Sequence, residues 1–232
     1  MIRAPDSTLN VNAKAWVSLF VMTIVIGVLL FVPAGTIHYW QAWAYLGIYF
    51  IASFLITFYL TKRDPALLQR RMRGGPTAEK RKSQRTAMLL ATTGFIAAMV
   101  VPALDHRFRW SRVPNFAVIL GDVLTALWFF AAFLVFRENS FSAATVQVAE
   151  GQTVISTGPY AIVRHPMYAG GLISFIGTPL ALGSWWGMLA LLVVLPALIW
   201  RLVDEERLLQ SNLPGYTEYS RRVRYRLIPG VF

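Results

Sequence analysis

The densest run of residues able to do chemistry is Gly158-Pro-Tyr-Ala-Ile-Val-Arg-His-Pro-Met-Tyr-Ala-Gly-Gly171. Pro166 suits the first turn of a helix, where its missing N–H would have no partner in any case. Arg164 and His165 then stand at a membrane boundary. An Arg-His pair there commonly rests on lipid phosphates, with a tyrosine such as Tyr168 in the interfacial aromatic belt. Here Gly-Pro-Tyr precedes the pair and Gly170-Gly171 follows it, so exposed backbone and small residues also allow a ligand to approach closely. A second constellation is Asp204-Glu205-Glu206. Acids at a helix C-terminus oppose the macrodipole, so local stability does not explain them; salt bridges to nearby arginines are the plain alternative. A third combines Tyr216 and Tyr219 with the arginines of 221–226, for most of which attraction to anionic lipid is the simpler reading.

The elements that must position these groups are membrane helices. Of 232 residues, 56% are hydrophobic and 14% charged, against roughly a quarter charged in soluble domains. Lys plus Arg is 22 and Asp plus Glu 11, a net charge of +11. A basic excess on so apolar a chain points to charged membrane-helix ends rather than to a nucleic-acid face. The chain has no cysteine, which excludes thiolate chemistry and disulfides, and its three histidines, His38, His106 and His165, are too far apart for a local metal motif. Apolar runs of spanning length cover 15–34, 39–61, 86–104 and 114–136, the last broken only by Asp122. The first carries no small-residue cleavage site after it, which marks a retained span rather than a signal peptide. The run 167–200 is too long for one span and contains Gly177, Pro179, Gly183 and Gly187, so it reads as a helical hairpin joined near 182–185.

The expected fold is therefore all-α: an integral membrane bundle of about six transmembrane helices, with a C-terminal hairpin at 167–203 and a cytoplasmic cap. Residues 1–136 would hold four helices and a basic loop at 62–85, and 137–232 the functional core. Within the cap, 144–148 and 153–155 could pair as a short β-hairpin about Glu150-Gly151. Helix should continue past Asp204, break at Leu213-Pro214-Gly215 and resume near Tyr216. This topology puts 19 of the 22 basic side chains on one side, which should be cytoplasmic, and leaves Arg107, Arg109 and Arg112 opposite. Asp122 inside a span would either face a polar cavity, such as a substrate tunnel, or pair with a neighbouring helix.

The full pattern is Gly-Pro-Tyr-x-x-x-Arg-His-Pro-x-Tyr-x-Gly, a hairpin, Glu-Glu, then Tyr-x-x-Tyr-x-x-Arg-Val. It resembles the isoprenylcysteine carboxyl methyltransferase family and the related phospholipid methyltransferases over 139–229. The resemblance implies S-adenosyl-L-methionine held on the cytoplasmic side by Tyr160, His165, Pro166, Tyr168, Glu205 and Glu206. It implies Arg164 and Arg222 as catalytic arginines at the substrate carboxylate, with Tyr219 on the substrate side; Asp122, outside the resemblance, is a substrate-side candidate only through the tunnel reading of its span. One departure is that Arg222-Val is followed by Arg224, the proline coming only at Pro229.

Methyl transfer from a sulfonium needs alignment and dryness rather than a metal. Aromatic faces receive the cation, carboxylates accept from ribose hydroxyls, and a guanidinium fork orients a carboxylate without protonating it. The expected partners are the bilayer and a membrane lipid or prenylated substrate, with neither nucleic acid nor metal, in a bacterial inner membrane or an endoplasmic reticulum. The competing readings are a phospholipid amine N-methyltransferase, an NADPH-dependent sterol-type reductase, and a small transporter with a midplane site in the broken helices.

Overall fold

The computed structural model describes residues 5–79 and 81–231; Arg3 and Lys80, counted in the charge bias, and Phe232, the end of the cap, lie outside the described residues. Eight α-helices follow in order: α1 (Pro5–Ala34), α2 (Trp40–Arg63), α3 (Pro65–Met72), α4 (Lys82–Phe108), α5 (Asn115–Glu138), α6 (Pro166–Ala181), α7 (Leu191–Asn212) and α8 (Tyr216–Arg222). Short 3-10 turns stand at Pro76–Ala78, Gly158–Ala161 and Trp186–Ala190. The fold is an all-helical membrane bundle. Five helices are long and apolar enough to cross a bilayer: Val11–Ala34, Trp40–Arg63, Lys82–Phe108, Asn115–Glu138 and Trp186–Asn212. The sixth expected span, α6, has 16 residues, a rise of about 24 Å against a hydrocarbon core of about 30 Å.

The hairpin turns where its glycine allows. Gly183 takes φ +70°, and the Ser184 N–H donates to Pro179 O at 2.9 Å. At this end Asp105, buried at the close of α4, accepts from the Ser111 N–H at 2.8 Å and from the Ser111 and Ser184 hydroxyls. Tyr39 donates to Leu182 O. Arg107, Arg109 and Arg112 gather at this same end with His38 and His106, around a polar depression remote from the Arg164 end.

Two expectations for the connecting segments change. The basic 62–85 link contains a packed helix, α3. Asp64 caps α3, accepting from the Leu67 N–H at 2.9 Å, and Leu67 and Leu68 bury against Leu60, Val135 and Phe136. Residues 144–148 and 153–155 form no strands among the described residues. Only the turn survives: the Gln152 N–H donates to Ala149 O at 3.1 Å, and the Ala149 N–H to Gln152 Oε1 at 2.9 Å. The backbone polar groups find other partners. Ala143 O accepts from Arg71, Ala144 O accepts from Arg201, and the Val146 N–H reaches Glu79.

The closest helix pair is α5 on α6, and glycine makes it possible. A Cβ on Gly121 would lie 2.1 Å from Ala181 N and 2.6 Å from Gly177 O. Both obstacles are backbone, so the helices would have to part, as small-residue membrane interfaces generally do not tolerate. Gly121→Ala is expected to cost about 1–3 kcal/mol of stability through overpacking. Gly47→Ala, which meets nothing within 4 Å, should be neutral or slightly stabilising. Unfolding midpoints in detergent will separate the two; equal midpoints would mean that the α5–α6 contact is looser than described.

Candidate active site

A cavity of about 330 Å³ opens among the ends of α4, α5, α6 and α7 and the segments 139–155 and 158–168. The stripe of α7 that faces it runs Val194, Ala197, Leu198, Arg201, Glu205, Leu209. Steps of three and four keep these residues on one helix face. The stripe is apolar toward the bilayer and polar toward the surface, so the cavity has one dry wall and one charged wall.

Helical phase splits the three consecutive acids, because successive residues point about 100° apart. Asp204 turns to α4, accepting from Arg81 at 2.9 Å, Ser83 at 3.0 Å and Gln84 Nε2. Glu205 turns to the cavity and accepts from the Tyr168 hydroxyl, which also receives Arg201 Nε at 3.1 Å. Glu206 turns to the C-terminal tail. It is 3% exposed and takes Arg164 Nε and Arg226 Nε at 2.6 Å each, with His165 Nε2 3.4 Å from its Oε1.

The motif loop and the tail are joined through the same group. Arg164 Nη1 donates to Ser220 O, Val223 O and Arg224 O at 2.9–3.3 Å. The Arg164 and His165 N–H groups donate to Tyr225 O at 2.9 Å and Arg226 O at 3.0 Å. Tyr219 donates to Tyr160 O at 2.8 Å, and Asn139 to the Tyr160 hydroxyl at 2.8 Å. Burial pushes the Tyr160 phenol up to about 12, and raises Tyr216 and Tyr219 as well, so all three are neutral phenols at physiological pH. Two polar atoms among the cavity residues, His165 Nε2 and the Tyr216 hydroxyl, are buried without a hydrogen-bond partner.

Of the residues singled out from sequence, Tyr160, Arg164, His165, Pro166, Tyr168, Glu205 and Tyr219 line the cavity together. Glu206 stands behind the wall. Arg222 is exposed at the end of α8, and Asp122 lies half-buried in α5 with Oδ1 unpartnered, neither of them on the wall. The two glycines differ: a Cβ on Gly170 would meet the Trp128 ring at 2.6 Å, so it serves helix packing, whereas Gly171 is open and faces the cavity. Sequence reasoning missed Arg71, Asn139 and Arg201 as wall residues. Arg201 stands four residues before Glu205, a same-face spacing that was there to be read.

The structure is thus a multi-pass helical bundle with a polar, partly closed cavity at one end of its helices. Residues 116–214 match the family model described as phospholipid methyltransferase. Protein-S-isoprenylcysteine O-methyltransferase B of Arabidopsis thaliana is 29% identical over 149 residues, 61% of this chain and 72% of the relative. The cobalt-zinc-cadmium resistance protein CzcN of Cupriavidus metallidurans is 36% identical over 144 residues, 52% of this chain and 65% of the relative. The delta(14)-sterol reductase of Mus musculus is 33% identical over 91 residues, 38% of this chain and only 22% of the relative. Over these residues the chain is similar to phospholipid and isoprenylcysteine methyltransferases, and the similarity supports a membrane methyltransferase.

The geometry separates the two family-type glutamates. Glu206→Gln removes the charge that two guanidinium groups share and leaves Arg164 buried. It should cost about 3 kcal/mol or more and expose the chain beyond Arg222 to protease. Glu205→Gln should keep the wild-type unfolding midpoint and protease pattern. Equal stability of the two variants would show that the tail is held by something other than Glu206.

Proposed function

We propose that the protein transfers a methyl group from S-adenosyl-L-methionine to a lipophilic acceptor, with a carboxylate as the favoured nucleophile. The observation that carries this reading is the single cavity that joins the motif residues to an apolar wall. Tyr160, His165, Tyr168 and Glu205 form its polar end, and Met88, Phe175, Val194 and Leu198 its dry end. Its volume is in the range of small-molecule sites, about 300–1,000 Å³. The unpartnered Tyr216 hydroxyl and the open face of Gly171 suit a polar ligand pressed against the polar end.

S-adenosyl-L-methionine, when bound, supplies an electrophilic methyl on a sulfonium. Tyr160 and Tyr168 offer aromatic faces to that positive charge. Glu205 offers a carboxylate to donor hydroxyls, already oriented by Tyr168. The α7 stripe excludes water, which would otherwise compete as a nucleophile and screen the reacting charges. A carboxylate acceptor is already an anion, so the site needs no general base; the C–S bond breaks as the C–O bond forms. Glu206, Arg164 and Arg226 hold the motif loop and tail in place behind the wall, and Arg164 retains Nη2 as a donor free for the acceptor. Arg222, exposed on α8, would reach the acceptor only with a change of rotamer or tail position.

The description of the matching family gives specific weight to one other acceptor, a phospholipid amine. Chemistry distinguishes them. Methyl label delivered from tritiated S-adenosyl-L-methionine to N-acetyl-S-farnesylcysteine as an ester is released as volatile methanol in base, whereas label on phosphatidylethanolamine nitrogen is base-stable. Base-labile incorporation is the expected result, and base-stable incorporation would move the assignment to the amine. Glu205→Gln should weaken S-adenosyl-L-methionine binding by about tenfold or more, the value of one charge-assisted hydrogen bond. Absence of calorimetric binding by the folded wild-type protein, in both detergent and lipid, would remove the reading.

The charge bias supports a cytoplasmic location for the cavity end. Thr77, exposed near the 3-10 turn Pro76–Ala78, can be changed to cysteine in this cysteine-free chain. An impermeant maleimide should label it in inverted vesicles and not in intact cells; the opposite pattern would invert the topology.

A further inference from the structure

Three guanidinium groups line the cavity, those of Arg71, Arg164 and Arg201. Two are matched by buried carboxylates: Arg164 Nε lies 2.6 Å from Glu206 and Arg201 Nη1 2.6 Å from Glu79. Arg71 has no carboxylate within ion-pair distance among the described residues. Glu205, the remaining acid of the wall, is taken by the Tyr168 hydroxyl.

Arg71 is held in this position by the fold. Leu67 and Leu68 anchor α3 in the core, and Arg71 follows at four and three residues, on the same helix face. Its Nη1 donates to Ala143 O at 3.0 Å, and its guanidinium lies 5.0 Å from the centre of the Phe136 ring. Arg70, one position back, turns away to the Ser140 carbonyl. Taking a guanidinium out of water without a counter-ion is unfavourable, and one carbonyl and one ring offset only part of that. Burial accordingly weakens its hold on its proton. The nearby hydroxyls of Tyr160 and Tyr168 are neutral phenols that cannot serve as counter-ions. The cavity therefore holds one guanidinium with no carboxylate at ion-pair distance among the described residues, and it is a planar fork suited to two oxygens.

We infer that Arg71 is the docking point for a carboxylate in this cavity, completed when the ligand sets a carboxylate against its guanidinium. The inference rests on the proposed methyl transfer and names the residue that would select an acidic ligand there. Two ligands could bring the carboxylate, the acceptor or the amino-acid end of S-adenosyl-L-methionine.

Matched pairs of probes distinguish these sources. N-acetyl-S-farnesylcysteine is compared with its methyl ester, and S-adenosyl-L-methionine with 5′-methylthioadenosine, which lacks the amino-acid end. Calorimetry on the full chain in detergent gives the preference for the acid in each pair, for the wild type, Arg71→Gln and Arg71→Lys. The expected result is a preference that falls about tenfold or more in Arg71→Gln for one pair and holds for the other. Arg71→Lys should restore part of it, because charge without the fork is a weaker receptor. The pair that changes identifies the source, and the pair that holds shows that the variant is folded. Unchanged preference in both pairs overturns the inference and leaves the methyltransferase reading intact. Equal weakening of acid and ester also overturns it, because it would make Arg71 a packing residue. A wild type that binds none of the four probes removes both the functional reading and the inference.

Discussion

The cavity depends on one buried carboxylate. Glu206 is almost completely removed from water, a position that a carboxylate holds only when the surroundings return what hydration supplied. Arg164 and Arg226 do so from opposite directions, one from the motif loop and one from the tail. Without that shared anion the two segments would repel each other, since both are basic. The tail beyond α8 has little apolar anchorage of its own; Leu227, packed with Leu198 and Leu202, is its buried side chain. Electrostatics therefore closes the end of the bundle, and the hydrophobic effect only assists.

The same economy of charge sets which groups the wall leaves available. Asp204, Glu205 and Glu206 are adjacent in sequence but serve three different elements. Two are consumed, by α4 and by the tail, and the one between them is left facing the ligand space. On the cationic side, Arg164 and Arg201 are likewise consumed by Glu206 and Glu79. What remains on the wall is one carboxylate held by a tyrosine and one guanidinium held by a carbonyl. A site that neutralised all its charges internally would have nothing with which to recognise a polar ligand; a site that neutralised none could not fold at a membrane interface.

The helices were legible because a bilayer makes long apolar runs unambiguous, and Gly183 marked the hairpin turn. The motif also showed correctly that the 158–171 segment, the acids near 205 and the tyrosines near 219 converge. It could not show which side chain of a convergent set faces inward. Glu205 and Glu206 are indistinguishable as letters, and only the 100° step between them decides that one meets the ligand space and the other the tail. The arginines misled for a related reason. Counting them as topological charges gave Arg71 and Arg201 a side of the membrane and no place on the wall, although Leu67-Leu68 before the first and Glu205 after the second signalled a shared inward face. The alternation at 144–155 suggested strands, yet a ladder was unnecessary there. Arg201 and Glu79 take up backbone groups of Ala144 and Val146, and those partners come from elements too distant in sequence to be read locally.

The short helix α6 ties these features to the membrane. Its 16 residues begin at Pro166, directly after His165, and end at the tight turn fixed by Asp105 and Ser184. With its far end held at the opposite interface, a rise of about 24 Å cannot reach across a core of about 30 Å. A bilayer of that thickness would have to thin beside α6 or place the motif residues below the headgroups. Neighbouring α7 is 22 residues long and carries its stripe from Val194 up past Glu205 to Leu209, so the cavity between them spans the change from hydrocarbon to water. A substrate with an apolar body and an acidic end can then keep both parts in their preferred surroundings while its reactive atom meets the polar wall.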